Sequence, residues 1–237
     1  MAYLHLTAPK VKRQSKKSKW SNFNYARNLF EGSAKEYDVY MAALLSELVE
    51  KKYVIAEYGC GDGIWLEYLG GKYPDKKFIG LEWNERLVEY AKEHRVKNLE
   101  NVTIHQADIS QHCVDCDFLF ALGVMEHFDN AVDVVKTWVD HLDSNGFALI
   151  TVPNLLHTVY VHFRHNLPFQ QVLGKDAIPV EAYGFEWLWS HNTFLRNVMD
   201  AGLEILLYRI IEESNERGQL VVAFKRADKT SLVRRSG

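Results

Sequence analysis

The chain has 237 residues, 47% of them apolar and 25% charged, with a net charge of −3. That is room for one substantial α/β domain with a full core and too little for two large ones. No apolar run reaches the roughly 18 residues a membrane-spanning helix needs, and no apolar segment precedes the N-terminal basic cluster as in a secretory signal. The charge is unevenly spread. Residues 1–20 hold Lys10, Lys12, Arg13, Lys16, Lys17 and Lys19 and no acid, and the chain from Lys225 onward carries five basic residues against Asp228. The remaining body is therefore strongly acidic and would repel phosphates, which disfavours nucleic acid as a partner. Residues 1–20 and 228–237 read as solvated basic arms around a single domain, 21–227. Three cysteines, Cys60, Cys113 and Cys116, suit a reducing, cytoplasmic setting better than a disulfide framework. Cys113-x-x-Cys116 has no second pair, which favours a structural role over a metal or redox site.

In chain order, Trp20, Phe23, Tyr25 and Phe30 precede an amphipathic helix over Ala34–Val49, in which Tyr37, Met41, Leu44, Leu45 and Leu48 recur at helical spacing. Tyr53–Glu57 is a predicted strand, and Ile64–Leu69 opens a helix that Gly70-Gly71 stops. Lys77–Glu82 is the second strand, with a helix after it through Glu85–His94. Val102–His105 and Asp117–Leu122 are strands three and four, Ala131–Leu142 is a helix, and Phe147–Val152 is strand five, closed by Pro153. His191–Ala201 is the last helix, capped by Gly202, and Leu203–Ile211 with Gln219–Phe224 forms a hairpin. Strands alternating with helices imply parallel βαβ units, here finished by an antiparallel pair. Residues 154–190 break the pattern. They are too long for a plain connection, are rich in aromatics and histidine, and follow a strand at the carboxyl edge, where open α/β sheets bind ligands. They read as a substrate cap, with Tyr160, Arg164 and Tyr183 as candidate acceptor contacts.

The most informative stretch is Val54–Gly63, an apolar strand running into Glu57-x-Gly59-x-Gly61-x-Gly63. Glycines let the backbone turn sharply and approach a ligand. A dinucleotide fingerprint would place its third glycine at position 64, which is Ile64. A carboxylate two residues before the first glycine would repel a diphosphate and welcome a positive group. Glu82 ends the second strand 19 residues after Gly63, where Rossmann-like folds place a carboxylate that accepts from ribose hydroxyls.

These residues resemble motif I and its successors in the class I S-adenosylmethionine-dependent methyltransferases, over about Glu31 to Lys225. The resemblance implies a Rossmann-like, seven-stranded, mostly parallel sheet, with S-adenosylmethionine as cofactor and S-adenosylhomocysteine as product. It places Glu57 near the amino group of the cofactor's methionine end and the Gly59-Cys60-Gly61-x-Gly63 turn against the cofactor. Glu82 falls on the ribose, although many family members carry aspartate there, and Trp83 beside the adenine face. Asp108 and Ile109 fall at the adenine edge, with an Asp-x-Ser turn cap as the competing role for Asp108. Leu122-Gly123-Val124-Met125-Glu126-His127 resembles the Leu-Glu-His segment of small-molecule and lipid-type members, which passes beneath the sulfonium. Leu122 is thus a cofactor contact, and His127 is either a general base facing the acceptor or a packing residue. Tyr25 and Tyr37 are the candidate tyrosines of an N-terminal aromatic lid, with aromatic packing of the helix onto the sheet as the competing role.

The segment after strand four lacks the Asp/Asn-Pro-Pro-aromatic motif of nucleobase amine methyltransferases and the Pro-Cys of cytosine C5 enzymes. His157, His162 and His165 are spaced by five and three with no interleaved acid, which argues against a metal site. The expected activity is methyl transfer to an oxygen or nitrogen of a small-molecule acceptor. The alternatives are an RNA or protein methyltransferase that docks through its basic arm, and a non-catalytic binding module.

Overall fold

A computed structural model describes residues 36–128, 131–154, 191–211 and 219–227. Tyr25, the basic segments 1–20 and 228–237, Tyr160, Arg164, Tyr183, and the three histidines between 155 and 190 lie outside the described residues.

The described chain runs α1 (Glu36–Glu50), β1 (Val54–Tyr58), α2 (Ile64–Lys72), β2 (Lys77–Glu82), α3 (Glu85–Tyr90), β3 (Val102–Gln106) and β4 (Cys116–Leu122). It continues through α4 (Ala131–Val139), β5 (Leu142–Pro153), α5 (His191–Asp200), β6 (Leu203–Ile211) and β7 (Gln219–Arg226). The strands form one seven-stranded sheet in the order β3-β2-β1-β4-β5-β7-β6. Pairs among β1 to β5 are parallel, and β7 runs antiparallel to both β5 and β6. The expected architecture is present.

Central strands are apolar on both faces because helices cover both faces. In β4, Phe118 and Phe120 face the layer holding Met41 and Leu45 of α1 and Leu66 and Leu69 of α2, whereas Leu119 and Ala121 face Val135 and Trp138 of α4 and Phe194 of α5. The period of two in a strand separates the two cores residue by residue. Trp138 is fully buried, stacks edge-on against Tyr58 at 5.3 Å, and donates its indole N–H to the Ile109 carbonyl at 2.7 Å. Its polar atom is thus satisfied where its large ring stabilises the core most.

Several element boundaries differ from the expected ones. The helix after the glycine turn does not stop at Gly70-Gly71 but continues to Lys72. Gly70 instead permits close packing, since a Cβ there would lie 2.4 Å from Val102 Cγ2. Leu142 is not the end of a helix but the start of β5, paired with Cys116, so that strand is 12 residues long. The helix after β2 ends in a π-helical turn, Ala91–Arg95. Edge strand β6 shifts register between Ile205 and Leu207 and leaves Leu206, Tyr208 and Ile210 exposed on one side.

Candidate active site at the carboxyl ends of the central strands

The sheet order reverses between β1 and β4, and the sequence-predicted residues on β1, β2, β4 and the loops after them converge at the carboxyl ends of these strands. Glu57 is the penultimate residue of β1, between Gly80 of β2 and Phe120 of β4. It is 3% exposed, and its Oε2 has no hydrogen-bond partner among the described residues. Burial holds its carboxyl well above the usual range, with Asp62 and then Glu82 pushing the same way. A buried acid left in this state is costly unless a cationic donor meets it.

The loop leaving β1 folds over the end of β2. The N–H groups of Gly59 and Cys60 donate to the Leu81 carbonyl at 2.7 and 3.1 Å, and Gly63 N–H donates to the Cys60 carbonyl at 2.9 Å. Gly59, Gly61 and Gly63 have φ of 72°, 55° and 81°, the left-handed region that side-chain-bearing residues avoid. Their surroundings differ. A Cβ on Gly59 would lie 2.6 Å from Val124 Cγ2 and one on Gly63 would lie 3.0 Å from Ala91 Cβ, whereas no described atom comes within 4 Å of a Cβ on Gly61. Among the described residues, therefore, Gly61 has free space beside it while Gly59 and Gly63 are closely packed. Cys60 is buried beneath the turn, where desolvation and then Glu57 and Glu82 push its thiol far up, so it is a neutral filler.

Glu82 is 5% exposed at the end of β2. Its Oε2 accepts from Gly61 N–H at 3.0 Å and its Oε1 from Asn84 N–H at 2.9 Å. Burial raises its pKa, and these backbone N–H groups and that of Trp83 partly offset the rise. Each carboxylate oxygen retains acceptor capacity beyond one hydrogen bond, so the clasp on the glycine loop is compatible with a diol. Asn84 itself caps α3, accepting from Arg86 N–H at 3.1 Å. Trp83 is 57% exposed beside it.

Asp108 forms the Asp-x-Ser turn: its Oδ1 accepts from the Ser110 N–H at 3.0 Å and the Ser110 hydroxyl at 2.7 Å. Asp108 thus fills the capping role, and any adenine contact would be additional to it. Ile109 is buried, with its carbonyl turned to Trp138.

After β4, Gly123 has φ 66° and donates its N–H to Thr151, at 3.2 Å to the carbonyl and 3.1 Å to Oγ1. Thr151 Oγ1 also accepts from the Tyr37 hydroxyl at 3.1 Å. This buried threonine thus ties α1, β5 and the loop after β4 together, a junction that no local sequence signal announces. Leu122 is half-buried at the end of β4, and Met125–His127 forms a short 3₁₀ turn in which Met125 and Glu126 are buried and His127 is partly exposed.

Sequence reasoning also passed over Asp62, Glu67 and Arg95. The Arg95 guanidinium donates to Asp62 Oδ2 at 2.9 Å and to Glu67 Oε2 at 3.2 Å. Burial alone would lower the Arg95 pKa, but these two carboxylates, Asp62 first, outweigh it. Cys113 and Cys116 lie away from this site near Tyr58. Burial pushes both thiols up, that of Cys116 to about 12, which suits the structural role expected for them.

Residues 56–148 match the family model described as a methyltransferase domain. Over 115 residues the chain is 30% identical to a probable (S)-tetrahydroprotoberberine N-methyltransferase 2 of Papaver bracteatum, an alignment covering 46% of this chain and 31% of that one. It is 26% identical over 157 residues to the ubiquinone biosynthesis O-methyltransferase of Rickettsia canadensis (strain McKiel), covering 65% of this chain and 64% of the relative. The chain thus spans about a third to just under two thirds of the length of these relatives. Among solved structures, the fold is similar to that of an S-adenosylmethionine-dependent methyltransferase from Clostridium acetobutylicum ATCC 824, with a TM-score of 0.63 at 14% identity, covering 88% of this chain and 99% of that one. Residues 56–148 thus match a methyltransferase domain, and the described fold is that of S-adenosylmethionine-dependent methyltransferase structures.

Proposed function

We propose that this chain transfers a methyl group from S-adenosylmethionine to an oxygen or nitrogen of a small-molecule acceptor. The observation that carries the proposal is the Glu57 carboxyl, buried at the mouth of the glycine turn with an unpartnered oxygen. An ammonium group is the ligand chemistry that would make such burial favourable. The family match, the N- and O-methyltransferase activities named for the two relatives, and the small-molecule nature of their acceptors point the same way.

When bound, the cofactor supplies a methyl already activated on a sulfonium, with a neutral thioether as leaving group. The protein's tasks are then to bind, orient and exclude water. Glu57 would take the amino group, Glu82 the ribose hydroxyls beyond its clasp on Gly61, and Gly61 the close backbone approach. Asp108, Ile109 and Trp83 would bound the adenine, and Leu122 and Cys60 would complete the floor. His127, on the partly exposed 3₁₀ turn, is the candidate base for a hydroxyl acceptor; an amine acceptor would need orientation alone. Tyr25 over the cofactor, and Tyr160, Arg164 and Tyr183 around the acceptor, complete the proposed set.

Calorimetric titration of the purified chain with S-adenosylmethionine and S-adenosylhomocysteine tests the cofactor, and Glu57→Gln tests the anchor. Saturable binding that weakens in the variant is expected. No binding by the wild-type chain would overturn the proposal.

A further inference from the structure

Three glycines at positive φ within five residues make Gly59–Gly63 costly to hold in one conformation, because glycine loses the most backbone freedom on ordering. Such a loop needs anchors. One is the Glu82 carboxylate, which takes the Gly61 N–H at 3.0 Å. The other comes from across the loop. The helix after β2 widens into the π-helical turn Ala91–Arg95, which sets Ala91 against Gly63 and sends the Arg95 side chain back over α2. There its fork engages Asp62, which stands between Gly61 and Gly63, and Glu67, in the first turn of α2. The side chains of Arg95 and Asp62 are only 12% and 11% exposed. π-Helical turns disrupt regular helix hydrogen bonding and recur where a side chain must be re-aimed for function.

We propose that Arg95 is a positioning residue for the cofactor loop: its guanidinium fixes Asp62 so that the Gly61–Gly63 backbone is preorganised for S-adenosylmethionine, an assignment that rests on the function proposed above. Arg95 acts through Asp62 and stands one residue back from the ligand. This ordering is present before the ligand arrives. It strengthens binding of the methyl donor and of its product alike, and it leaves the reacting atoms untouched.

The test compares Arg95→Met, Asp62→Asn, Glu67→Gln, Arg95→Lys and the Arg95→Met/Asp62→Asn double variant in the full chain. The readouts are S-adenosylhomocysteine affinity, the KM for S-adenosylmethionine, kcat and thermal stability. Arg95→Met and Asp62→Asn should each weaken affinity by about tenfold, raise KM in parallel and leave kcat within about twofold. The double variant should be no worse than either single one, because both remove the same contact. Arg95→Lys, which keeps a charge on Asp62, should recover most of the affinity. Glu67→Gln, which removes only the arm outside the loop, should lose stability but no affinity. Should Arg95→Met fail to fold, the near-isosteric Asp62→Asn decides. Unchanged affinity in Asp62→Asn, or an equal loss in Glu67→Gln, overturns the positioning role. Failure of the wild-type chain to bind either ligand overturns the function itself and the positioning role with it, whereas equal binding by wild type and variants overturns the positioning role alone.

Discussion

Gly61→Ala separates what the glycine turn does for the fold from what it does for a ligand. Gly61 has φ 55°, and no described atom lies within 4 Å of the position a Cβ would occupy. Among the described residues the alanine therefore adds only backbone strain, about 1–2 kcal/mol in the left-handed region. For a domain of this size that corresponds to a melting temperature about 2–8 °C lower. The new methyl group projects into the space assigned to the methyl donor, and it also displaces the backbone from a close approach. An affinity loss of about tenfold or more, equivalent to at least about 1.4 kcal/mol, is expected for S-adenosylhomocysteine. Differential scanning fluorimetry and calorimetric titration of the same preparation read the two effects independently. A variant that melts as expected yet binds the product as tightly as the wild type would show that the turn does not line the cofactor pocket. A melting temperature lower by far more than the strain accounts for would show that the space beside Gly61 is filled.

Gly59→Ala should be more damaging, costing about 2–5 kcal/mol of stability in total, because overpacking against Val124 at 2.6 Å adds about 1–3 kcal/mol to the strain. Adding Val124→Ala should recover the packing part alone, as read by urea unfolding, and a double variant no more stable than Gly59→Ala would refute the clash. Glu57 gives a signed pH dependence. Its folded carboxyl is held above the unfolded value of about 4.3, so the stability it contributes is complete below that value and is lost as pH rises through the raised folded one. Glu57→Gln cannot ionise, and its unfolding free energy should gain on the wild type across that window; parallel profiles would refute the buried, unpaired state. His127→Ala should lower turnover on a hydroxyl acceptor with S-adenosylhomocysteine affinity unchanged, and an unchanged kcat would eliminate it as base.

What the sequence made legible follows from how local the signals are. β2 matches the expected Lys77–Glu82, because its apolar run and its acidic end are contiguous. The glycine turn and Glu57 were placed for the same reason. The start of β5 was misplaced because Leu142–Gly146 pairs only at Leu142 with Cys116 before the ladder resumes at Phe147, and such a partner cannot be read along one segment. Gly70 reads locally as a helix stop, yet its role is close approach to Val102, a contact 32 positions away in the chain. Asp62 and Arg95 are separated by 33 positions, and the π-helical turn that joins them carries no composition signal. Asp108 shows the opposite limit: Asp-x-Ser was legible as a turn, and the structure builds that turn, but the motif says nothing about what its remaining oxygen meets.

The charges around the turn decide between the ligands that its glycines would admit. Glu57, Asp62 and Glu82 converge there, and of the three only Asp62 has an ion pair with a cationic side chain among the described residues. Glu82 satisfies its buried charge with backbone N–H groups instead, which spends on a carboxylate the donors that a phosphate cradle would turn toward its anion. A diphosphate would enter beside the Glu57 and Glu82 carboxyls and find the N–H groups of Gly59, Cys60, Gly61 and Gly63 already taken. A ligand with an ammonium at Glu57 and a diol at Glu82 meets the opposite situation: the first converts a costly buried acid into an ion pair, and the second uses acceptor capacity that the clasp on Gly61 leaves over. Selection for a methyl donor over a dinucleotide would thus rest on Glu57 and Glu82, with Asp62 adding to the field at Glu57.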